Sequence, residues 1–293
     1  MFVSGPASHL VSALEDECAA AGVTTLCGCP ILGISRTGRF RIETGRGTLS
    51  AESLVVAAGG LARPDLGATG FGMRIAAEFG LSVVPPAAAL AGFLWSEQDR
   101  ARFGELTGIA IDARVTCGPA RFDGSILFTH YGLSGPAAMN ATLAWKKGLA
   151  VSVDFVPGVE VVPPSSRNDP PAAARRKSAD LLKRLMPERL ALRLAGLLPA
   201  PGIPLARWSP KERQDFERGV HSWRFLPAGT EGFEKAEVMR GGVDTRELSS
   251  KTLECRRVPG LYFAGEVLDV TGKVGGFNLH WAWASGFAAG QAV

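Results

Sequence analysis

Two short apolar runs that end in glycine lie about 200 residues apart in this chain. The first is Leu54–Ala58, followed by Gly59–Gly60, and the second is Leu261–Ala264, followed by Gly265–Glu266. A short, uninterrupted apolar run that stops at glycine is typical of a strand buried in a parallel sheet. The two runs therefore predict an α/β layer whose two parts are far apart in the sequence.

The residues between the two runs have a different character. Apolar and polar side chains alternate over 109–117, and Asp123–Gly124 predicts a hairpin turn in an antiparallel region. Prolines then cluster between Pro157 and Pro171, and a helix-like segment follows. We therefore predict a layer formed by residues 1–85 and 255–293 and an insert formed by residues 86–254. The insert would comprise a β-rich part (86–156), a linker (157–171), a helical part (172–218) and a β return (222–254).

Composition excludes several classes of protein. The 36 glycines show no Gly-X-Y period, which excludes a collagen-like chain. The five cysteines are odd in number and form no C-x-x-C pair, so we expect neither a disulfide framework nor a metal site. No secretory signal is recognisable, and proline or glycine interrupts both long uncharged stretches. We therefore expect a cytoplasmic protein with no membrane partner.

The overall charge argues against a nucleic-acid partner. Lys and Arg number 32 against 28 Asp and Glu, so the net charge is only +4, and no long basic run occurs. The segment 172–198 is basic, and such a face is usually solvated, although a phosphate- or nucleic-acid-binding role stays open. The prediction at this point is no nucleic-acid partner.

The unit 261–290 carries the clearest chemical signal. Glu266 follows a predicted buried strand, where a carboxylate can accept hydrogen bonds from ribose or ribityl hydroxyls. Gly275–Gly276 opens a predicted helix, whose bare N–H groups and dipole favour an anion such as a phosphate or a reduced flavin. A tight turn and a capped helix without any ligand would give the same pattern, so the unit alone does not decide.

Other well-known motifs are absent or broken. The chain contains neither G-x-G-x-x-G nor the P-loop pattern. Gly132–Gly135 resembles the nucleophile elbow of an α/β-hydrolase, but Pro136 replaces the final glycine of G-x-S-x-G, so that interpretation fails. The four histidines show no metal-ligand spacing, and only His130 and His280 stand near other motifs.

A series of motifs carries a family resemblance through essentially the whole chain. They are Val55–Gly60, Ala68–Gly70, Phe128–Pro136, Gly241–Val243, Gly260–Asp269, Gly275–Leu279 and Trp281–Gly286. In this order they resemble the HI0933-like family (also called YhiN or BaiN-like) of FAD-dependent NAD(P)/FAD-type oxidoreductases. The resemblance implies an α/β fold in which a two-dinucleotide-binding-type FAD domain is interrupted by a β-barrel and helical insert. This agrees with the split layer predicted above.

The resemblance also implies which residues contact FAD. They are Ile31 beside the adenine, Ala57, Ala58, Gly59 and Gly60 against the adenosine part, Gly265 and Glu266 by the ribityl–phosphate region, and Gly275, Gly276, Phe277 and Asn278 near the isoalloxazine ring. No catalytic residue is implied. His130 is a candidate proton donor at the boundary between insert and flavin, although a structural hydrogen bond is the simpler interpretation.

Two functions follow from the resemblance. One is a flavoprotein oxidoreductase that passes hydride or electrons through FAD to a small-molecule substrate, with NAD(P)H as a candidate donor. Family members open with a strand, a G-x-G-x-x-G-like turn and a helix, and this chain shows no such unit. The alternative is therefore an N-terminally incomplete or degenerate flavoprotein that binds no FAD by itself, or one half of a split enzyme.

Overall fold

The computed structural model describes residues 5–163 and 175–293. In these ranges the α-helices are α1 (Ala7–Ala20), α2 (Phe71–Glu78), α3 (Glu97–Phe103), α4 (Pro136–Ala141), α5 (Ser178–Leu182), α6 (Glu188–Leu197), α7 (Pro210–His221) and α8 (Phe277–Gly290). The strands are β1 (Ile31–Thr37), β2 (Arg39–Thr44), β3 (Gly47–Ala51), β4 (Leu54–Val56), β5 (Val83–Ala89), β6 (Phe93–Leu94), β7 (Ala110–Cys117), β8 (Ala120–Phe128), β9 (Gly132–Ser134), β10 (Val151–Asp154), β11 (Trp223–Phe225), β12 (Gly229–Thr230), β13 (Val238–Val243) and β14 (Leu261–Phe263). Among the helices described, none is long and apolar enough to cross a membrane.

The two glycine-terminated runs form neighbouring strands. β4 and β14 pair in parallel, with Leu54 opposite Leu261 and Val56 opposite Phe263. Strands that run in the same direction end at the same edge, so residues 57–60 and 264–266 leave the pair side by side. The mixed α/β class predicted from the sequence is confirmed.

The α/β layer is built from both ends of the described sequence. Its strands also include the antiparallel sheet β1–β2–β3 and the antiparallel ladder of β5 with β13. One apolar core joins them, and its fully buried side chains include Phe40, Ile75, Met239, Val243 and Phe263. Because these residues come from sequence positions some 200 apart, the layer forms only when both parts of the chain meet.

Seven strands of the insert form one antiparallel sheet, in the order β11-β10-β7-β8-β9-β6-β12. The two edge strands are consecutive in the chain, because β11 ends at Phe225 and β12 begins at Gly229. A link this short spans at most about 14 Å, so the sheet must curl until its edges lie near each other. No ladder between β11 and β12 closes the sheet within residues 5–163 and 175–293, so the closed barrel stays a prediction.

The hairpin turn predicted at Asp123–Gly124 is wrong. β7 and β8 are joined at Gly118–Pro119, and β8 continues through Asp123 to Phe128. The Asp123 carboxylate accepts two hydrogen bonds from the Arg114 guanidinium, at 2.6 and 3.1 Å, across the ladder. An aspartate favours turns by accepting from its own backbone, and here its oxygens are engaged by the neighbouring strand instead.

Helix α7 begins where the sequence predicts. The Ser209 hydroxyl accepts a hydrogen bond from the Glu212 N–H at 3.2 Å, and the Glu212 carboxylate accepts one from the Ser209 N–H at 2.7 Å. This reciprocal pair is a capping box, which satisfies two otherwise free N–H groups at the helix start. Most of the predicted linker 157–171, and the start of the predicted helical part 172–218, fall on 164–174, outside the described residues. The predicted boundaries of the layer and the insert stay predictions. β13 and the residues that follow it up to 254, which the prediction put in the insert, pack on the core of the layer and are counted with the layer below.

Candidate functional site

The carboxyl ends of β4 and β14 expose bare backbone side by side. Gly59 and Gly265 have φ angles of +69° and +78°, and a Cβ built on either would meet nothing within 4 Å. Glycine adopts such angles without strain and leaves no side chain in the way. A ligand can therefore approach the main chain at the ends of both strands.

Glu266 lies next to these strand ends. Its Oε1 accepts a hydrogen bond from the Met239 N–H at 2.6 Å, and its Cδ would stand 3.2 Å from a Cβ at Gly60. Burial raises the pKa of the Glu266 carboxyl, although the Met239 hydrogen bond favours its charged form. A carboxyl in this state can accept from a ligand hydroxyl when charged and donate to one when protonated.

A cavity of about 390 Å³ opens beside Glu266 at the start of α8. Four residues implied by the resemblance line it together: Glu266, Gly275, Gly276 and Asn278. Its other walls include Leu90, Glu237, Val238 and Lys273. The structure thus brings the carboxylate and the glycine pair of the 261–290 unit into one concave site.

Helix α8 starts at this cavity without a side-chain cap. The N-cap residue Gly276 has a φ of +85°, with open space where a Cβ would be. The Asn278 side chain is used elsewhere, because its Oδ1 accepts from the Gly272 N–H at 2.8 Å and its Nδ2 donates to the Gly272 carbonyl at 3.1 Å. Asn278 therefore holds the loop before the helix, while the uncapped N–H groups and the helix dipole favour an anion.

The insert borders the same cavity. Asn140 of α4 accepts a hydrogen bond from the Val274 N–H at 2.9 Å through its Oδ1. The Lys273 ammonium lies 5.4 Å from the centre of the Phe122 ring on β8, a distance at which a cation and an aromatic face attract. The cavity therefore sits where the insert meets the layer.

The other residues implied by the resemblance lie outside the cavity walls. Ile31 begins β1, in the β1–β2–β3 sheet, and is 42% exposed. Ala57 and Ala58 are exposed at the end of β4, and the Phe277 side chain is 61% exposed. His130 follows β8, with its Nδ1 3.3 Å from the Thr107 hydroxyl, and is not a cavity residue.

Seven cavity residues were not predicted as site residues from the sequence: Leu90, Glu237, Val238, Lys273, Val274, Leu279 and Ala282. Leu90 has a φ of +51°, a strained angle that no sequence pattern predicts. Glu237 and Val238 lie at the start of β13 and reach the cavity through its long-range pairing with β5, about 150 residues away in the sequence. Lys273 could have been predicted from the sequence, because it lies two residues before the predicted site residues Gly275 and Gly276.

Comparison with known proteins settles the family. The HI0933-like protein Rossmann domain matches residues 1–292. The chain belongs to the HI0933-like family. The family supports an oxidoreductase of the flavoprotein type, and the relatives described next are enzymes.

Three relatives match this HI0933-like chain over nearly all of its length. The ribosomal RNA dihydrouridine synthase of Escherichia coli is 39% identical over 296 residues, which are 99% of this chain and 73% of the relative. The enzyme of the same name in Haemophilus influenzae is 36% identical over 304 residues, 100% of this chain and 74% of the relative. The 3-dehydro-bile acid delta(4,6)-reductase of Clostridium scindens is 30% identical over 305 residues, 99% and 74% respectively.

The part of the chain that the structure describes contains no candidate metal-binding cluster. No group of three or more His, Cys, Asp or Glu side chains there could hold a metal ion.

Proposed function

We propose that this chain is an FAD-dependent reductase that adds hydrogen across a carbon–carbon double bond, and that its substrate is a uracil base in ribosomal RNA. The names of two relatives describe the formation of dihydrouridine in ribosomal RNA, and that of the third describes a reductase acting on a bile acid. Conversion of uridine to dihydrouridine adds one hydride and one proton to the ring double bond. The candidate donor of the electrons is NAD(P)H.

The observation that carries the proposal is the bare main chain around Glu266. Gly59 and Gly265 leave the ends of two parallel strands open, and Gly276 leaves the start of α8 open. A dinucleotide has hydroxyls, phosphates and a flat ring system, and these surfaces suit all three. The residues present therefore fit FAD, which when bound supplies the hydride-transfer chemistry.

Each residue set would hold a different part of the cofactor. Residues 57–60 would lie along the adenosine part, with Ile31 on its far side, and Gly265–Glu266 would hold the ribityl chain. Glu266 is suited to this because its Oε1 is fixed by the Met239 N–H at 2.6 Å. The start of α8, at Gly275–Asn278, would stabilise negative charge on the ring system.

The cavity walls that the resemblance does not assign to FAD would face the substrate. Glu237 and Lys273 line the cavity and can hold or exchange protons, and Leu90 and Val238 provide an apolar surface that excludes water. The curled sheet, which we take to be the barrel-type module that the resemblance implies, would form the outer wall. The proposal assigns no single proton donor, and His130 has no place in it because it lies outside the cavity.

A second candidate is that the chain binds no FAD by itself, as an incomplete flavoprotein or half of a split enzyme. Helix α8 leaves Leu279 71% and Phe287 70% exposed, and α1 contains no buried residue. Apolar surface of this extent is usually covered by a ligand or by another part of a protein. The exposed apolar surface is therefore consistent with FAD binding. It is equally consistent with a chain that must associate with a partner before it can bind FAD.

The first experiment is the visible absorbance of the purified chain after incubation with FAD and removal of free cofactor. A retained flavin band near one FAD per chain supports the proposal, and a colourless protein favours the second candidate. Glu266→Gln should weaken FAD retention, whereas Glu78→Gln, an exposed carboxylate of α2, should leave it unchanged.

Substrate is tested separately from cofactor. The FAD-loaded chain is incubated with NAD(P)H and an unmodified ribosomal RNA transcript, and the digested nucleosides are analysed by mass spectrometry. Dihydrouridine, heavier than uridine by two hydrogens, supports the assignment. If flavin is retained and reduced but no dihydrouridine forms, the FAD assignment is supported and the RNA assignment is contradicted. The substrate would then be a small molecule.

A further inference from the structure

Positive charge is concentrated in one part of the insert. Residues 175–224 contain twelve Lys and Arg against five Asp and Glu, whereas the rest of the chain contains 20 against 23. The net charge of +4 for the whole chain hides this division, because a basic segment and a slightly acidic remainder nearly cancel. A segment with this excess produces a positive potential that attracts polyanions.

The acidic side chains of this segment do not neutralise its surface, because each is already bound to a neighbour. The pairs are Asp180 with the Lys177 N–H, Glu188 with Lys183, Glu212 with Ser209, Asp215 with Arg218, and Glu217 with the Val161 and Val162 N–H groups. Among the described residues, only two of the five, Glu188 and Asp215, pair with a Lys or Arg inside the segment. Most of the basic side chains are therefore left without a carboxylate from their own segment.

Four exposed cations are the clearest of these. Arg184 follows α5, Arg207 and Lys211 flank the start of α7, and Arg224 lies on β11. None of the four forms an ion pair with the residues at 5–163 and 175–293. They belong to separate elements of one packed core, so their positions are fixed by the fold rather than by a single flexible arm.

The basic segment takes no part in lining the cavity beside Glu266. None of residues 175–224 lines that cavity, and the layer touches the insert elsewhere, for example where Arg240 donates to the Trp145 carbonyl at 2.7 Å. A substrate that uses both surfaces must extend beyond the cavity walls. RNA can do so, since one of its bases can enter a pocket while its backbone phosphates contact a basic surface outside that pocket.

We propose that the surface formed by residues 175–224 is a docking site for the phosphate backbone of RNA. The choice of RNA among polyanions rests on the proposed function, whereas the location of the surface rests on the charge distribution alone. The expectation of no nucleic-acid partner came from the net charge of the whole chain, which does not show how charge is divided. An anionic membrane is the main competitor, because Leu192 and Leu197 of α6 are also exposed.

The test is the salt dependence of RNA binding by the full chain. Wild type and the triple variant Arg184→Gln, Arg207→Gln and Lys211→Gln are titrated with an unmodified ribosomal RNA transcript at several salt concentrations. Each phosphate contact that is lost should lower the slope of log K against log salt by about 0.7 to 0.9, so the triple variant should lose about two to three in slope. Binding at moderate salt should weaken at least tenfold.

A matched triple variant controls for net charge. Arg36→Gln, Lys251→Gln and Arg256→Gln remove the same charge from exposed positions on the α/β layer. If the control variant keeps the wild-type slope and all three proteins have equal melting temperatures, the proposed docking site is supported. An equal loss of slope in both triple variants would overturn it, since net charge would then be the cause. Tighter binding of wild type to phosphatidylglycerol vesicles than to RNA would overturn it as well.

Failure of this surface can be told apart from failure of the proposed function. Binding is measured without FAD and without reductant, so a chain that makes no dihydrouridine can still show the predicted loss of slope. Conversely, if the chain makes dihydrouridine while its triple variant binds RNA like wild type, the result supports the proposed function and contradicts the docking surface.

Discussion

The insert and the α/β layer differ in how fully they bury their apolar side chains. In the insert, Trp95 packs against Phe225 with ring centres 5.1 Å apart, Phe103 packs against Phe128 at 6.3 Å, and all four are at most 5% exposed. In the layer, α8 is apolar on most of its surface, yet only Ser285 and Ala289 are buried. The insert is therefore closed around its core, and the layer is open on one side.

This difference makes the open layer the region better suited to bind a ligand, and the insert the region that contributes more to stability. Burying a large apolar side chain contributes roughly 1.5–3 kcal/mol, and an exposed one contributes little. Ligand-binding segments tend to be the less stable parts of a protein, because they must leave surface free. The cavity beside Glu266 lies on the open layer, at its border with the insert.

The largest expected effect tests the closed core against the open helix with the same substitution. Phe128→Ala removes a fully buried ring of the insert and should lower the free energy of unfolding by about 3–5 kcal/mol. Phe287→Ala removes a ring that is 70% exposed on α8 and should change it by at most about 0.5 kcal/mol. Chemical denaturation of both variants measures the difference. Equal losses would mean that α8 is covered in solution.

The next effect concerns the cofactor. If FAD binds the open layer, a hundredfold excess over its Kd should raise the free energy of unfolding by about 2.7 kcal/mol. Hydrogen exchange should slow along residues 264–290 and stay unchanged in the strands β7 and β8 of the insert. Slower exchange in the insert alone would place the cofactor elsewhere and contradict the division into a closed and an open region.

Sequence patterns predicted those features that depend on local burial or local hydrogen bonds. The parallel pairing of β4 and β14 followed from two apolar runs that end in glycine. The expected burial holds for β14 but not for all of β4, since Val55 is 38% exposed. The start of α7 followed from Ser209–Pro210, since a capping serine acts within its own helical turn.

Features set by distant neighbours could not be predicted in this way. Asp123–Gly124 has the composition of a turn, but its conformation is set by Arg114 on the adjacent strand. Leu90 and Glu237 reach the cavity because they meet at the end of the β5–β13 ladder, where the Glu237 N–H donates to the Leu90 carbonyl at 3.3 Å. The positions that the resemblance assigns to FAD, such as Ile31, stay predictions, since local patterns do not contain them and the cavity walls do not include them all.

A smaller effect separates two glycines of the open helix. A Cβ on Gly276 or on Gly286 would meet nothing within 4 Å, but only Gly276 has a left-handed φ, +85°. Gly276→Ala should therefore cost about 1–2 kcal/mol in strain, whereas Gly286→Ala should stabilise the helix by up to about 1 kcal/mol. Thermal unfolding of both variants checks the signs. If Gly276→Ala loses FAD retention and Gly286→Ala does not, the start of the helix is in contact with the cofactor.

The smallest expected effect compares the two regions by their acid response. In the layer, the Arg246 guanidinium lowers the pKa of Asp244 from 3.8 to about 2, and in the insert Arg114 lowers the pKa of Asp123 as well. A carboxyl whose pKa is lower in the folded state stabilises the fold above its unfolded value and loses this contribution as the pH falls through the folded one.

Asp244→Asn should therefore lose less stability than wild type between about pH 4 and pH 2, the window set by those two pKa values. Asp123→Asn should shift the same curve less, because the Asp123 side chain is 64% exposed and solvent screens its pairing, whereas that of Asp244 is only 9% exposed. Melting temperatures across this pH range measure both. If the two variants follow the wild-type curve, neither pairing contributes to the acid response, and the layer and the insert then differ in packing alone.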